Sequence, residues 1–140
     1  YATNFCLSAL YLSSQQLKPF NPYLGETFQA QFEEGSKIYF EHTSHTPCVS
    51  NYLLLDKDNK YKLHGYYDLA SEGAVKMLAS NTLTILNKGT GNLYLKGTDN
   101  TVKIQDPKID VSGLIFGERI CKWKHFLKIE DRKSKLIVLV

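Results

Sequence analysis

Hydrophobic positions recur along this chain with two different periods. From Ala2 to Gln16 they fall at helical spacing. Phe5, Ala9 and Leu12 form a stripe that Cys6 and Leu10 widen, which predicts an amphipathic helix over residues 2–16. Leu17-Lys18-Pro19-Phe20-Asn21-Pro22 ends it, because a residue that precedes proline is pushed out of the α region. Residues 17–26 therefore read as a loop. From Thr27 onward the period becomes two: Tyr61, Leu63, Gly65, Tyr67 and Leu69 alternate with Lys62, His64, Tyr66 and Asp68, the pattern of a half-buried strand. Leu83 and Ile85, Val102 and Ile104, and Ile109 and Val111 repeat it in shorter runs.

Short polar segments separate these runs: Glu33–Ser36, Asp56–Asn59, Lys88–Gly91, Gly97–Asn100 and Asp131–Ser134. Connections this short join antiparallel neighbours, since parallel strands need a long crossover. The pattern predicts a mainly β fold: one N-terminal helix, then an antiparallel meander over residues 27–140. A meander with so many strands must curl, close or split into two layers.

Composition adds exclusions more than assignments. With 140 residues, 43% hydrophobic and 22% charged, the chain is able to build a core, and wholesale disorder is not expected. A net charge of +3, spread along the chain, is too little to predict a nucleic-acid partner. No apolar run approaches the roughly 20 residues of a membrane-spanning helix. The three cysteines, Cys6, Cys48 and Cys121, form neither a CxxC pair nor a zinc-spaced cluster with histidine. We therefore expect no metal, no cofactor and a reducing, cytoplasmic setting. Both ends predict an excised piece of a longer protein: Tyr1 lies inside the helical pattern, and Leu136–Val140 is a bare apolar strand.

Candidate chemistry concentrates in two segments. In Lys18-Pro19-Phe20-Asn21-Pro22-Tyr23-Leu24-Gly25-Glu26-Thr27, two prolines stiffen a loop that carries the donors Lys18 and Asn21. Such a loop is either an anion cradle or a rigid connector from helix to strand. In Glu41-His42-Thr43-Ser44-His45-Thr46-Pro47-Cys48, two histidines and three hydroxyls make a polar corner between strands at 37–40 and 49–55. A hydrolase triad is disfavoured there, because no nucleophile-elbow glycine pattern accompanies it. Metal binding by His42 and His45 is disfavoured too, since residues three apart do not meet on a regular strand. Phosphate recognition by imidazole and hydroxyl donors stays open.

Taken in order, the two segments resemble the oxysterol-binding protein family. Lys18-Pro19-Phe20 followed by Asn21–Phe28 is similar to its first signature, and Glu41–Pro47 is similar to its fingerprint Glu-Gln-Val-Ser-His-His-Pro-Pro. The Cys6–Ser14 segment, Gly65-Tyr66, Gly113–Gly117 and Trp123 fit the layout loosely. The resemblance covers nearly the whole chain, yet the chain accounts for only about a third to a half of such a lipid-binding domain. It implies part of a large, incomplete β-barrel with one lipid in a hydrophobic tunnel. The ligand would be a sterol, a phosphoinositide such as phosphatidylinositol 4-phosphate, or phosphatidylserine, carried between membranes by a peripheral protein in transient contact with their surfaces. Carried over by position, Lys18 and Asn21 on one loop and His45 with Thr46 on the other would bind the headgroup or its phosphate.

Three departures qualify the match. Thr46 stands where the family has a second histidine; replacing a charge-assisted bond by an ordinary one costs roughly 1–2 kcal/mol of headgroup binding. Cys48 replaces the second proline, and His42 replaces glutamine. No covalent chemistry is expected. The rival readings are an interaction module that kept the fold without the lipid, and a hydrolase using His45 with a nearby Ser or Cys48. His64, His125 and Trp123 read as structural or surface residues, and Lys122–Lys135 as a solvated hairpin.

Overall fold

Eleven strands and two short helices make up the structure, a computed structural model that describes residues 2–12, 20–71, 74–98 and 100–140, with the backbone alone at 2, 12 and 74–76. In chain order they are α1 (Ala2–Leu12), β1 (Thr27–Gln31), β2 (Lys37–Ser44), β3 (Cys48–Leu55), β4 (Tyr61–Ser71), α2 (Ala74–Ser80), β5 (Thr82–Asn87), β6 (Gly91–Leu95), β7 (Asn100–Gln105), β8 (Lys108–Ser112), β9 (Ile120–Lys124), β10 (Lys128–Asp131) and β11 (Ile137–Leu139). The predicted helix is present from Ala2 to Leu12; its predicted continuation to Gln16 and the loop positions 17–19 lie outside the described residues. The predicted turns fall at the connections, with Asp99 outside the description. Among the described residues, no helix is long and apolar enough to cross a membrane.

All strand pairings are antiparallel, as expected, but the sheet is not a simple meander. One path runs β1-β2-β3-β4-β6-β7-β10-β11, and a branch β5-β8-β9 leaves it at β4. The sheet stays open, with β1 and β11 at the two ends of the main path. The fork arises because β4 is long enough to serve two partners: Tyr61–Gly65 pair with β6, and Leu69–Ser71 pair with β5. Asn87 plugs the fork. Its Oδ1 accepts from the backbone N–H of Asp68 (3.0 Å) and of Gly89 (2.9 Å), while its Nδ2 donates to Asp106 (2.9 Å). Backbone groups freed where two strands diverge must find other partners, and one amide side chain supplies them here.

The fork also overturns two local expectations. Helix α2 interrupts the stretch that period-two reading assigned to strands alone, carrying the chain between β4 and β5. The predicted Lys122–Lys135 hairpin does not form either: β9 pairs with β8, whereas β10 pairs with β7 and β11, so the chain crosses between arms of the sheet. Within Lys122–Lys135, the Asp131–Ser134 turn alone joins paired strands, β10 and β11. Trp123, opposite Ile109, sits half-exposed on the outermost strand of the branch.

Register places one apolar face inward. Across the sheet, Phe28, Phe40, Tyr52, Gly65, Gly91, Ile104, Ile129 and Val138 lie opposite one another in sequence, strand by strand. Cys6, Leu127 and Ile129 form the buried core, with Leu10, Val102, Ile104 and Val138 packed around it. The buried line of α1 therefore runs through Cys6 and Leu10, while Phe5, expected to lead the stripe, is largely exposed.

Glycine is required where Tyr52 lies along this face. A Cβ on Gly65 would stand 2.3 Å from the Thr90 carbonyl oxygen and 2.7 Å from the Tyr52 hydroxyl, and one on Gly91 would stand 2.6 Å from the same hydroxyl. Two adjacent strands thus present bare backbone, and the phenol occupies the space their side chains would fill. Gly65→Ala is expected to destabilise the chain by about 2 kcal/mol or more, the scale of a core overpacking that meets backbone. Urea denaturation checks this; a loss below about 0.5 kcal/mol would show that the sheet yields there.

Candidate functional site

The loop of the first motif is closed by a turn of its own residues. The Glu26 N–H donates to the Tyr23 carbonyl (2.9 Å) and the Tyr23 N–H donates to Glu26 Oε2 (2.7 Å). Gly25 occupies the third turn position at φ +80°, the left-handed conformation that a type II turn reserves for glycine. Two further bonds fix this turn to the neighbouring strand. The Gly25 N–H donates to the His42 carbonyl (2.7 Å), and the His42 N–H donates to the Glu26 carbonyl (3.0 Å).

His42 is also where the second motif is gathered. Strand β2 continues through Glu41–Ser44, further than the sequence pattern predicts, and carries a bulge. The register steps from His42 opposite Ser50 to Ser44 opposite Val49, leaving Thr43 as the extra residue. The Thr43 hydroxyl holds the bulge, accepting from Asn51 Nδ2 (2.8 Å) and donating to the Val49 carbonyl (3.4 Å). Past the bulge, His45-Thr46-Pro47 makes the turn into β3, with a cis peptide at Thr46–Pro47. On a regular strand residues three apart point to opposite faces. Here the two imidazoles meet, with ring centroids 4.7 Å apart and His42 Nε2 2.8 Å from His45 Nδ1. The spacing argument for the pair fails because bulge and turn replace the regular strand. The facing nitrogens are at hydrogen-bond distance, and among the described residues no group of three metal-ligating side chains exists.

His42 is 1% exposed, and its Nδ1 lies 2.8 Å from Ser50 Oγ on β3. A buried polar ring is stable when both nitrogens are bonded, as they are here. Three of the four predicted site residues are described. His45 and Thr46 are exposed in the β2–β3 turn, and Asn21 is exposed ahead of the Tyr23–Glu26 turn. Among the described residues no hydrogen bond joins Asn21 to the β2–β3 turn; the two segments meet through His42. Lys18 lies outside the described residues. Among those residues, neither Ser44, Ser50 nor Cys48 hydrogen-bonds to His45, whose Nδ1 is engaged by His42.

One register step from His42 and Ser50, about 7 Å along the strands, the same face becomes apolar at Phe40 and Tyr52. A cavity of about 390 Å³ opens there between α1 and the sheet. Phe5, Cys6, Ala9 and Leu10 form its helical wall, Phe40, Leu54, Leu63 and Ile104 belong to its sheet wall, and Tyr52, Tyr67, Asn87 and Asp106 supply polar groups. A second cavity of about 370 Å³, lined by Leu54, Leu63, Leu93, Leu95 and Ile104 among others, extends the apolar surface. The face thus grades from leucine and isoleucine, through tyrosine, to the Ser50–His42 pair. Sequence reading set Tyr67 in the alternation of a half-buried strand but gave no site role to Ser50, Tyr52, Tyr67, Asn87 or Asp106. The usable signal was the alternation itself, which sets Phe40 and His42 on one face of β2 and Ser50, Tyr52 and Leu54 on one face of β3.

Comparison with known proteins agrees with this architecture. The family model described as "Oxysterol-binding protein" matches residues 1–139. The chain belongs to the oxysterol-binding protein family. It is 33% identical over 134 residues to oxysterol-binding protein 9 of Dictyostelium discoideum, covering 95% of this chain and 30% of that protein. Its identity to oxysterol-binding protein-related protein 3C of Arabidopsis thaliana is 29% over 117 residues, covering 84% and 24%. The fold is similar to the Osh3 ORD of Saccharomyces cerevisiae, solved in complex with PI(4)P, with a TM-score of 0.71, 24% identity and coverage of 83% and 30%. It is also similar to the Osh1 ORD domain solved with cholesterol, with a TM-score of 0.69, 21% identity and coverage of 83% and 27%. The chain spans about 30% of the length of the family member from Dictyostelium, and comparable shares of the solved domains.

Burial shifts the titratable groups that line the cavity. Burial pushes the Tyr52 phenol well above its ordinary value, and the nearby Tyr67 and Asp106 add to the shift. Tyr67 moves the same way for the same first cause, as does the Cys6 thiol facing them. Because the folded Tyr52 value exceeds the unfolded one, its stabilising contribution is complete below the unfolded value near 10 and is lost as pH rises above it. In an alkaline titration followed at 295 nm, Tyr52→Phe should remove the tyrosinate signal that develops last. An unchanged late phase would place Tyr52 in water.

Proposed function

We propose that this chain is the headgroup-binding and tunnel-lining part of a lipid carrier, which takes up a sterol or a phosphoinositide and transfers it between membranes without covalent chemistry. The observation that carries the reading is the graded inner face: an apolar cavity against α1, one register step from the hub that joins the two motif segments. A lipid demands that asymmetry, with dry surface for tails or rings and donors at one end for a headgroup. In this reading Lys18 and Asn21 from the first loop, and His45 with Thr46 from the β2–β3 turn, contact the headgroup. A lysine ammonium and an imidazole N–H form charge-assisted bonds to phosphate, whereas the threonine contributes an ordinary one. The relatives solved with PI(4)P, cholesterol and ergosterol are consistent with either class of ligand. The carrier would act at the cytoplasmic faces of membranes, touching them transiently.

The test separates headgroup from tunnel. In the full-length protein, Lys18→Ala and His45→Ala should each lower extraction of PI(4)P from liposomes about tenfold or more, the consequence of losing a charge-assisted hydrogen bond of about 1.5–3 kcal/mol. Uptake of a fluorescent sterol, whose hydroxyl does not need those cations, should stay within about twofold. Unchanged PI(4)P extraction by both variants would contradict the headgroup assignment. Absence of either lipid from the parent protein in native mass spectrometry and liposome assays would instead support the lipid-free interaction module.

A further inference from the structure

Both ring nitrogens of His42 are engaged inside the protein, whereas among the described residues His45 uses only one. Ser50 Oγ, His42 Nδ1, His42 Nε2 and His45 Nδ1 lie in series, each contact 2.8 Å, starting half-buried at Ser50 and ending at an exposed ring. Among the described residues Ser50 Oγ has a single hydrogen-bond partner, His42 Nδ1, so with both rings neutral and the hydroxyl as donor that nitrogen is the acceptor. That choice sets the rest. His42 then carries its proton on Nε2 and donates it to His45 Nδ1, and a neutral His45 must carry its own proton on Nε2, the nitrogen that has no partner among the described residues.

We propose that Ser50, His42 and His45 form a hydrogen-bond relay in which His42 is a positioning residue: it holds His45 as the Nε2–H tautomer, presenting a donor to a phosphate oxygen at the exposed end. The inference rests on the headgroup reading above and adds to it the residues that orient the donor. The relay serves His45 in its charged form as well. With a proton on both nitrogens, His45 donates inward to His42 Nε2, His42 donates from Nδ1 to Ser50 Oγ, and the outward Nε2–H remains. A ring with free rotation would present carbon as readily as nitrogen. A ring held at Nδ1 loses less entropy on binding, which matters more where Thr46 supplies only a neutral hydroxyl beside it.

The experiment uses the full-length protein with 15N-labelled histidine. Long-range proton–nitrogen spectra of the parent should show His42 and His45 as Nε2–H tautomers, with both Nδ1 atoms as hydrogen-bonded acceptors. Ser50→Ala should convert His45 to a mixture of tautomers, and Ser50→Thr should restore the single form. Binding is read with soluble inositol 1,4-bisphosphate and with vesicles containing 5% PI(4)P. Ser50→Ala should weaken both about three- to tenfold if the site reads phosphate from either source, and the vesicles alone if only the lipid is recognised. A parent His45 in the Nδ1–H form, or a tautomer and affinity indifferent to Ser50→Ala, would overturn the relay. Correct tautomers in a parent protein that binds neither phosphate ligand would overturn the proposal at the headgroup reading it rests on, leaving the hydrogen-bond geometry itself intact.

Discussion

The backbone and side chain of His42 bind in different directions, and the arrangement of the site depends on that division. Its N–H and carbonyl pair with Glu26 and Gly25, fastening the first motif loop to β2. Its buried imidazole spans from Ser50 on β3 to His45 in the following turn. Segments far apart in the chain are thereby held against one residue. Each bond is worth only about 1 kcal/mol net, yet breaking any of them would strand a polar group where water does not reach, at a cost of about 1–3 kcal/mol. That asymmetry keeps the hub intact.

A second constraint acts further along the same face. Gly65 and Gly91 leave bare backbone beneath Tyr52, so the phenol lies in the space of two missing side chains. The Asn87 plug lets β4 release β6 and take up β5, and its bond to Asp106 brings a carboxylate to the cavity near the tyrosines. Polar groups are thus grouped at one part of an otherwise apolar surface. The exposed apolar residues Phe20, Tyr23 and Leu24 belong to the motif loop.

How legible this was depends on the range of the interaction. Local rules located α1, the long strand β4 and the turns, because period, proline restriction and short polar connections act within a few residues. The fork at β4 was illegible: it depends on Asn87 reaching back to Asp68, and no local pattern announces a strand with two partners. The meeting of His42 with His45 was hidden for a related reason. A one-residue bulge at Thr43 alters which side chains face each other, and alternation arguments presume that no such residue is inserted. The family, in contrast, was readable from two motifs in order. The hub was not, because His42 stands where the motif has glutamine and counted as a departure.

The most direct measurement is a crystal structure of the full-length protein loaded with PI(4)P. A phosphate oxygen is expected within hydrogen-bond distance of His45 Nε2, with the His42 bridge to Ser50 retained and acyl chain packed between α1 and Leu54, Leu63 and Leu93. A lipid seated with its headgroup at the Leu95 end of the cavity, or bound on the outer face of the sheet, would contradict this arrangement.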